Sequence, residues 1–351
     1  MAGLNRRELI ELGVAALLVA VAGAAHFAGL TALATFALAA AAIAVLARLV
    51  GMGTEQLGSR VGSGGAGVVQ SALGNLPELF IALFALHDGL TEVVQAALVG
   101  SVLANSLLVL GLAFIAGGLR NGMQHFQSGR ARMIATLTAL AAATLSVPTL
   151  AHTFHAPAAR HAQALSLICA GVLLVVFFLT LRGFFEAIPG EEAVHAQPRW
   201  PLSTTVVVLG TAATAAAFVS DWFVTALTPA IHTLHMSQAF AGLVIVAIAG
   251  NAVENVVGVQ LAWRNKPDFA VSVIMNSSLQ IALALTPLLV FASLLFATHL
   301  TLVFPMLLVI SLLFAAGLGA LVVYDGESTW PEGAILVGLY VVIAASFWWG
   351  A

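Results

Sequence analysis

The chain has 351 residues, 61% of them hydrophobic, with a mean hydropathy of +1.06 and a formal net charge of −3. Only 8% of its residues are charged, where a soluble domain carries roughly 25%. An ordinary globular domain and a disordered chain are both excluded. The acidic balance argues against a nucleic-acid partner. The single cysteine, Cys169, excludes an intrachain disulfide and a thiolate metal cluster.

The apolar residues come in blocks long enough to cross a bilayer as helices, about 20 residues each. Membrane barrels alternate apolar and polar residues in segments of about ten, whereas Leu165 to Leu181 runs almost unbroken. The spacing predicts an all-α membrane protein of about eleven transmembrane helices. They fall near 8–28, 31–51, 61–87, 91–118, 131–151, 161–184, 201–225, 236–263, 268–296, 300–323 and 331–350. The first is not expected to be a cleavable signal, because a second span follows it at once. The longest polar interruption, Gly183 to Gln197, contains Glu186, Glu191 and Glu192 and leaves six spans before it and five after.

Basic residues orient these spans. With a cytoplasmic N-terminus, the inner side receives Arg6, Arg7, Arg48, Arg60, Arg120, Arg130, Arg132, Arg182, Arg199, Arg264 and Lys266, and the outer side only Arg160. A one-sided distribution of this kind is the positive-inside pattern. It also supports the helix count, since one false span would scramble every loop downstream.

The chain repeats itself. Gly74-Asn75-Leu76-Pro77-Glu78 lies in the third span and Gly250-Asn251-Ala252-Val253-Glu254 in the eighth. The same offset pairs Ser101 with Ser277 and Glu92 with Asp268. Five spans separate the copies, so they cross the membrane in opposite directions. Inverted repeats build alternating-access transporters whose sites lie near mid-membrane.

Most acidic residues fall at span ends or in loops; Glu78 and Glu254 lie inside apolar spans. A charge at the bilayer centre costs about 2.5–3.5 kcal/mol even on insertion scales, and marks a functional site by default. The plainer alternative is a protonated or hydrogen-bonded carboxyl joining helices. Asn75 and Asn251 each precede a Glu by three residues, which puts amide and carboxylate on one helical face. Gly74 and Gly250 permit close backbone approach. Pro77 has no N–H, so the carbonyl of Leu73 loses its helical partner and can face a cation. The second copy has Val253 there, so any break in it must rest on Gly250.

Two carboxylates, two amide oxygens and freed carbonyls form the flexible all-oxygen set that Ca²⁺ takes. Zinc or copper would call for imidazole or thiolate, and neither motif contains one. The same carboxylates hold protons readily, since burial and like charge both disfavour ionisation. Mutual exclusion of cation and protons is then a sufficient mechanism for exchange. On the following spans Ser101/Asn105 and Asn276/Gln280 form i, i+4 polar stripes, with Ser277 beside the second. They read either as interhelical hydrogen bonds or as pathway lining.

At these residues the chain resembles the cation/proton exchanger family of the Ca²⁺:cation antiporter superfamily. GNLPE at 74–78 and GNAVE at 250–254 carry the resemblance. GSVLANSLLVLG at 100–111, SSLQIAL at 277–283, TEQLGSR at 54–60 and FAGLVIV at 240–246 extend it. The resemblance implies one extra N-terminal helix (1–30) and two inverted five-helix repeats (31–184 and 201–351) joined by a short acidic linker (185–200). It implies exchange of cytosolic Ca²⁺ for external H⁺, with Glu78 and Glu254 carrying both, Asn75 and Asn251 beside them, and no cofactor beyond the transported ions. The chain departs from the family pattern at Asn255, where His commonly follows the Glu, and at Asn276, where Gly is usual. The sodium-coupled branches typically place Asp where Glu254 stands, which favours proton coupling here.

Other readings remain open at this point. A proton- or sodium-coupled exchanger of Na⁺, K⁺, Mg²⁺ or Mn²⁺ is the near alternative. The paired motifs argue against a channel. Tyr324-Asp325-Gly326 lacks the second intramembrane Asp that a protease would need. Eight of the ten histidines, among them His26, His87, His235 and His299, are expected at the outer face as interfacial caps. The expected setting is a prokaryotic inner membrane, and the oligomeric state is left open.

Overall fold

The computed structural model describes residues 3–60, 69, 73–184 and 198–350. The linker glutamates and the first turns of the third expected span lie outside the described residues. Among those described, helix dominates: α1 (Arg6–Phe27), α2 (Ala32–Gly58), α3 (Leu76–His87), α4 (Thr91–Asn121), α5 (Ser128–Thr153), α6 (Ala162–Phe184), α7 (Leu202–Leu234), α8 (Gln238–Gly250), α9 (Ala252–Trp263), α10 (Pro267–Leu295), α11 (Met306–Val322) and α12 (Trp330–Ser346). A two-residue antiparallel pair, β1 (Gln124–His125) with β2 (Glu327–Ser328), accompanies them. Among the described residues seven helices are long and apolar enough to cross a membrane, eight if the bent pair α8–α9 counts as one span, and α3, α11 and α12 are shorter apolar helices.

Each expected block contains helix, but several ends differ. The spans expected at 31–51 and 201–225 run on to Gly58 and Leu234. The block expected from 300 becomes helical only at Met306. Pro305 explains part of this, since the residue before a proline is steered out of the helical region. The rest is side-chain competition for the backbone. The amide of Gln95 donates to the carbonyls of Thr301 (2.8 Å) and Val303 (3.0 Å). The hydroxyls of Ser293, Ser166 and Thr149 accept from the N–H groups of Leu300, Leu302 and Phe304. Non-helical backbone at membrane depth requires such partners.

The chain divides into two compact units, each drawing on both halves of the sequence. The first comprises Met1–Phe84, Val176–His235 and Ala249–Val253. Lipid offers no hydrophobic drive to pair helices, so close packing of small residues does the work. α2 buries an alanine-rich face, including Ala39, Ala42, Ile43, Leu46, Ala47 and Val50. A Cβ at Gly53 would lie 3.0 Å from Leu209 of α7, and one at Gly23 of α1 would lie 2.9 Å from the Trp222 ring. Polar staples fix the ends of α1. Glu8, 5% exposed, closes a capping box with Asn5 and accepts from the Arg199 guanidinium and the Trp200 indole. Arg48 donates twice to Glu11 at 3.0 Å. At the other end His26 stacks on Trp222.

The second unit comprises Ala85–Val175, Met236–Ile248 and Glu254–Ala351. Here α4 meets α8 backbone to backbone. A Cβ at Gly100 would fall 2.3 Å from the Leu243 carbonyl oxygen, and one at Gly242 would fall 2.3 Å from that of Val93. α4 meets α12 in the same way, through Gly111 and Gly333. β1 and β2 tie the α4–α5 and α11–α12 connections together, and Gln124 also donates to the carbonyl of Ala262 and to Asn265. Among the described residues three helices carry π-helical turns, at Ala104–Val109 in α4, Ala241–Val246 in α8 and Ile281–Leu285 in α10.

These close approaches separate the glycines into two kinds. Gly100→Ala and Gly242→Ala should each lower the unfolding temperature of the detergent-solubilised protein and reduce its yield. Gly171→Ala and Gly210→Ala meet nothing within 4 Å, and should be neutral or stabilising by about 0.5–1 kcal/mol through helix propensity. Equal thermal shifts for the two pairs would contradict the packing described.

Candidate functional site

Both GNxxE motifs sit at helix breaks, and the breaks are equivalent. Leu73 is helical, Gly74 and Asn75 form a turn, and α3 begins at Leu76. α8 ends at Gly250, Asn251 forms the turn, and α9 begins at Ala252, with a bend of 64° between the two helices. Glu78 and Glu254 are therefore each the third residue of a 12-residue helix and lie in its first turn. The break expected from Pro77 is present, and the second copy breaks as well. A helix N-terminus presents unpaired N–H groups and the positive end of the helix dipole, both favourable to a carboxylate. Pro77 suits this position, because the N–H it lacks is one the first turn leaves unpaired in any case. The second copy breaks without a proline, at the turn directly after Gly250.

The repeat extends to the next helices. α4 begins at Thr91 and α10 at Pro267, with Glu92 and Asp268 in their first turns. Both then take a π-turn, at Ala104–Val109 and at Ile281–Leu285, so the inverted copies agree in backbone where they share few residues. π-Turns of this kind are frequent at functional sites, and nothing in composition or hydropathy marks them.

In the first unit the cluster consists of Glu78, Asn251 and Gly250. Glu78 is 2% exposed and Asn251 1%. Asn251 Nδ2 donates to Glu78 Oε1 over a long 3.4 Å. A Cβ at Gly250 would lie 3.2 Å from Glu78 Cβ and 3.3 Å from its Cγ. Spacing pairs Asn75 with Glu78 and Asn251 with Glu254. The structure also brings the amide of the second copy to the carboxylate of the first. The Asn75 carbonyl accepts from Leu79 N–H at 2.9 Å and so enters the first turn of α3. Pro77 is buried, and Leu73, Gly74 and Asn75 are partly so.

In the second unit the polar stripes of α4 and α10 meet. Asn105, fully buried, donates to the Ser277 hydroxyl at 3.0 Å, and the Ser106 and Ser278 hydroxyls pair at 3.3 Å. Ser101 is buried on the same α4 face one turn earlier. Asn276 and Gln280 are half-buried one turn apart on α10, and Glu254 is half-buried near the start of α9. Ser106 and Ser278 were not singled out in the sequence; their positions next to Asn105 and Ser277 were the available signal. Three of the expected outer-face histidines make local contacts. His26 lies on Trp222, His87 edge-on to Phe296 at 6.0 Å, and His299 hydrogen-bonds Gln163.

Broken apolar helices, each with a carboxylate in its first turn and repeated in reverse, define an ion-exchanger architecture. Comparison with known proteins agrees. The sodium/calcium exchanger protein family matches residues 31–185 and 204–349, and the chain belongs to that family. It is 35% identical over 321 residues to the Ca(2+)/H(+) antiporter ChaA of Bacillus subtilis (strain 168), covering 89% of this chain and 91% of that one. It is 33% identical over 351 residues to a Ca(2+)/H(+) antiporter of Synechocystis sp. (strain ATCC 27184 / PCC 6803 / Kazusa), covering 92% and 93%. The solved structure of native YfkE superposes with a TM-score of 0.84 at 31% identity, over 96% of this chain and 99% of that one. The resemblance drawn from GNLPE and GNAVE is thereby borne out.

Gly250 is the tightest point against Glu78. Gly250→Ala requires the carboxylate stem to give by a few tenths of an ångström, and Gly250→Val requires more. Transport activity in vesicles should fall in the order wild type, Ala, Val, at equal protein level. Wild-type rates for Gly250→Val would show that this approach does not constrain Glu78.

Proposed function

We propose that this chain is an integral membrane antiporter that exchanges cytosolic Ca²⁺ for external H⁺, with Glu78 and Glu254 as the groups that hold cation or protons in turn. The equivalent placement of the two carboxylates, third residue after a break in each inverted copy, is the observation that carries this reading. Each ionised carboxylate offers hard oxygens suited to Ca²⁺; each protonated one offers a neutral carboxyl and no cation site. Exchange follows because one group cannot do both. Asn251, hydrogen-bonded to Glu78 and three residues ahead of Glu254 in the chain, acts as the orienting amide. Asn75, Leu73, Gly74, Pro77 and Gly250 shape the breaks. Ser101, Asn105, Asn276, Ser277 and Gln280 line or brace the pathway. The names of the curated relatives point the same way.

The one-sided distribution of Arg and Lys supports a cytoplasmic N-terminus, and the bacterial relatives support a prokaryotic inner membrane. An extra first helix (1–30) and two five-helix repeats (31–184 and 201–351) fit the two segments matched by the family model. The linker 185–200 joins them.

The test is pH-gradient-driven ⁴⁵Ca²⁺ uptake into everted vesicles. Wild-type uptake should collapse when the gradient is dissipated, and should be absent in Glu78→Gln and in Glu254→Gln. Acidifying the Ca²⁺-loading side should raise the KM for Ca²⁺, because protons and Ca²⁺ compete for the same oxygens. Proton release by Na⁺, K⁺, Mg²⁺ or Mn²⁺ but not by Ca²⁺ would overturn the calcium assignment and name the cation instead.

A further inference from the structure

The second unit carries arginines that ion exchange leaves without a task. Arg120 is in the last turn of α4, and Trp263 is the last residue of α9. Asn121 donates to the carbonyls of Ala262 (3.3 Å) and Trp263 (3.4 Å), so the two helix ends are tied together. The Arg120 guanidinium lies over the Trp263 ring, 4.7 Å from its centre. The same device recurs at this end of the unit, between the start of α5 and the end of α11. There the Arg132 guanidinium lies 4.9 Å from the centre of the Tyr324 ring.

These guanidiniums differ from those of the first unit. Arg48 and Arg199 pair with Glu11 and Glu8, whereas Arg120 and Arg132 have no carboxylate partner among the described residues. The carboxylates at this end are engaged elsewhere. Asp268 accepts from the Gln127 N–H at 2.6 Å and Asp325 from the Glu327 N–H at 3.1 Å. Glu327 lies 3.6 Å from His125, and Glu332 caps α12 with Thr329. Arg264 and Lys266, exposed just after Trp263 in the chain, add charge of the same sign.

A guanidinium stacked through its face keeps its N–H edges available, and those edges match the oxygens of a phosphate. The surroundings set the depth. Trp263 is 47% exposed, and Leu119, next to Arg120, is 67% exposed. Aromatic rings at the ends of apolar spans sit at the headgroup level of a bilayer, and an exposed leucine beside them faces acyl chains. A seat for phosphate and an apolar wall therefore stand side by side. A soluble anion uses only the first, and a phospholipid uses both.

We propose that the Arg120–Trp263 corner binds the phosphate of an anionic phospholipid in the leaflet on the α4–α5 side, with Arg132–Tyr324 as a second seat of the same kind. That leaflet is the cytoplasmic one in the orientation proposed above. Binding to purified protein is the same in either orientation, so its failure and the failure of that reading are distinguishable. A bound headgroup joins the ends of α4 and α9, so binding should also appear as resistance to heat.

The test titrates the whole purified protein, in neutral detergent, with phosphatidylglycerol, phosphatidylcholine or glycerol phosphate. The readouts are lipid retained in native mass spectrometry and the shift in unfolding temperature. Wild type should retain phosphatidylglycerol and gain stability from it, and gain little from the other two. Arg120 is exposed, so its variants should fold. Arg120→Gln should weaken phosphatidylglycerol binding about fivefold, the scale of one basic residue at an anionic membrane surface. Arg120→Lys keeps the charge without the planar fork and should recover only part of the loss. Trp263→Leu should weaken binding as well, because the guanidinium loses the ring that holds it. Arg160→Gln, in the α5–α6 connection at the other end of the unit, should bind as wild type does. Equal phosphatidylglycerol binding by wild type and Arg120→Gln overturns the proposal, and so does an equal loss in Arg160→Gln. Glycerol phosphate binding as tightly as phosphatidylglycerol overturns it in favour of a soluble anion.

Discussion

A carboxylate can persist inside an apolar span only if the protein replaces what water would have supplied, and much of this structure answers that requirement. At Glu78 the replacement comes from the first turn of α3 and from the amide of Asn251. At Glu254 it comes from the first turn of α9. Breaking the helix immediately before the carboxylate converts an ordinary span into two pieces, one of which presents a positive end. The break itself exposes backbone groups that lipid cannot satisfy. It therefore has to be enclosed by protein, and closely.

The glycines answer that second demand. Gly250 lets the broken backbone of the second copy lie against the Glu78 stem, while Gly100 and Gly242 bring α4 and α8 to within backbone contact. Dispersion and weak backbone contacts act only at such distances. Side-chain hydrogen bonds then hold what regular helix cannot. Gln95, Thr149, Ser166 and Ser293 satisfy the extended run before Met306, and the β1–β2 pair does the same between two connections on the other side of the second unit.

What the residues reveal without a structure is uneven, for physical reasons. The helices were legible because a membrane imposes one long-wavelength pattern, some 20 apolar residues at a time. The motif residues were legible because a buried Glu is costly wherever it stands. The helix breaks were only half legible. Pro77 announces one, but its counterpart forms at Gly250–Asn251 without a proline. The hydrogen bond from Asn251 to Glu78 was not legible. Helical spacing favours Asn75, three residues away, while the hydrogen bond is made by Asn251, distant in sequence and brought in by tertiary packing. The π-turns left no signal, because one extra residue per turn changes neither composition nor hydropathy. The extended segment at 299–305 was missed for a related reason: its apolar side chains read as the start of a span, while its conformation is set by polar side chains on four helices.

The two copies also show where an inverted repeat is free to diverge. Positions that shape backbone are kept in register: the helix starts at Leu76 and Ala252, the next starts at Thr91 and Pro267, and the paired π-turns. The carboxylates themselves, Glu78 and Glu254, are kept as well. Other positions differ between the copies, Pro77 against Val253 and Leu79 against Asn255. Symmetry of the scaffold does not require symmetry of the ligands. A cation that needs six to eight oxygens cannot take them all from two carboxylates, and the remaining oxygens need not come equally from both copies.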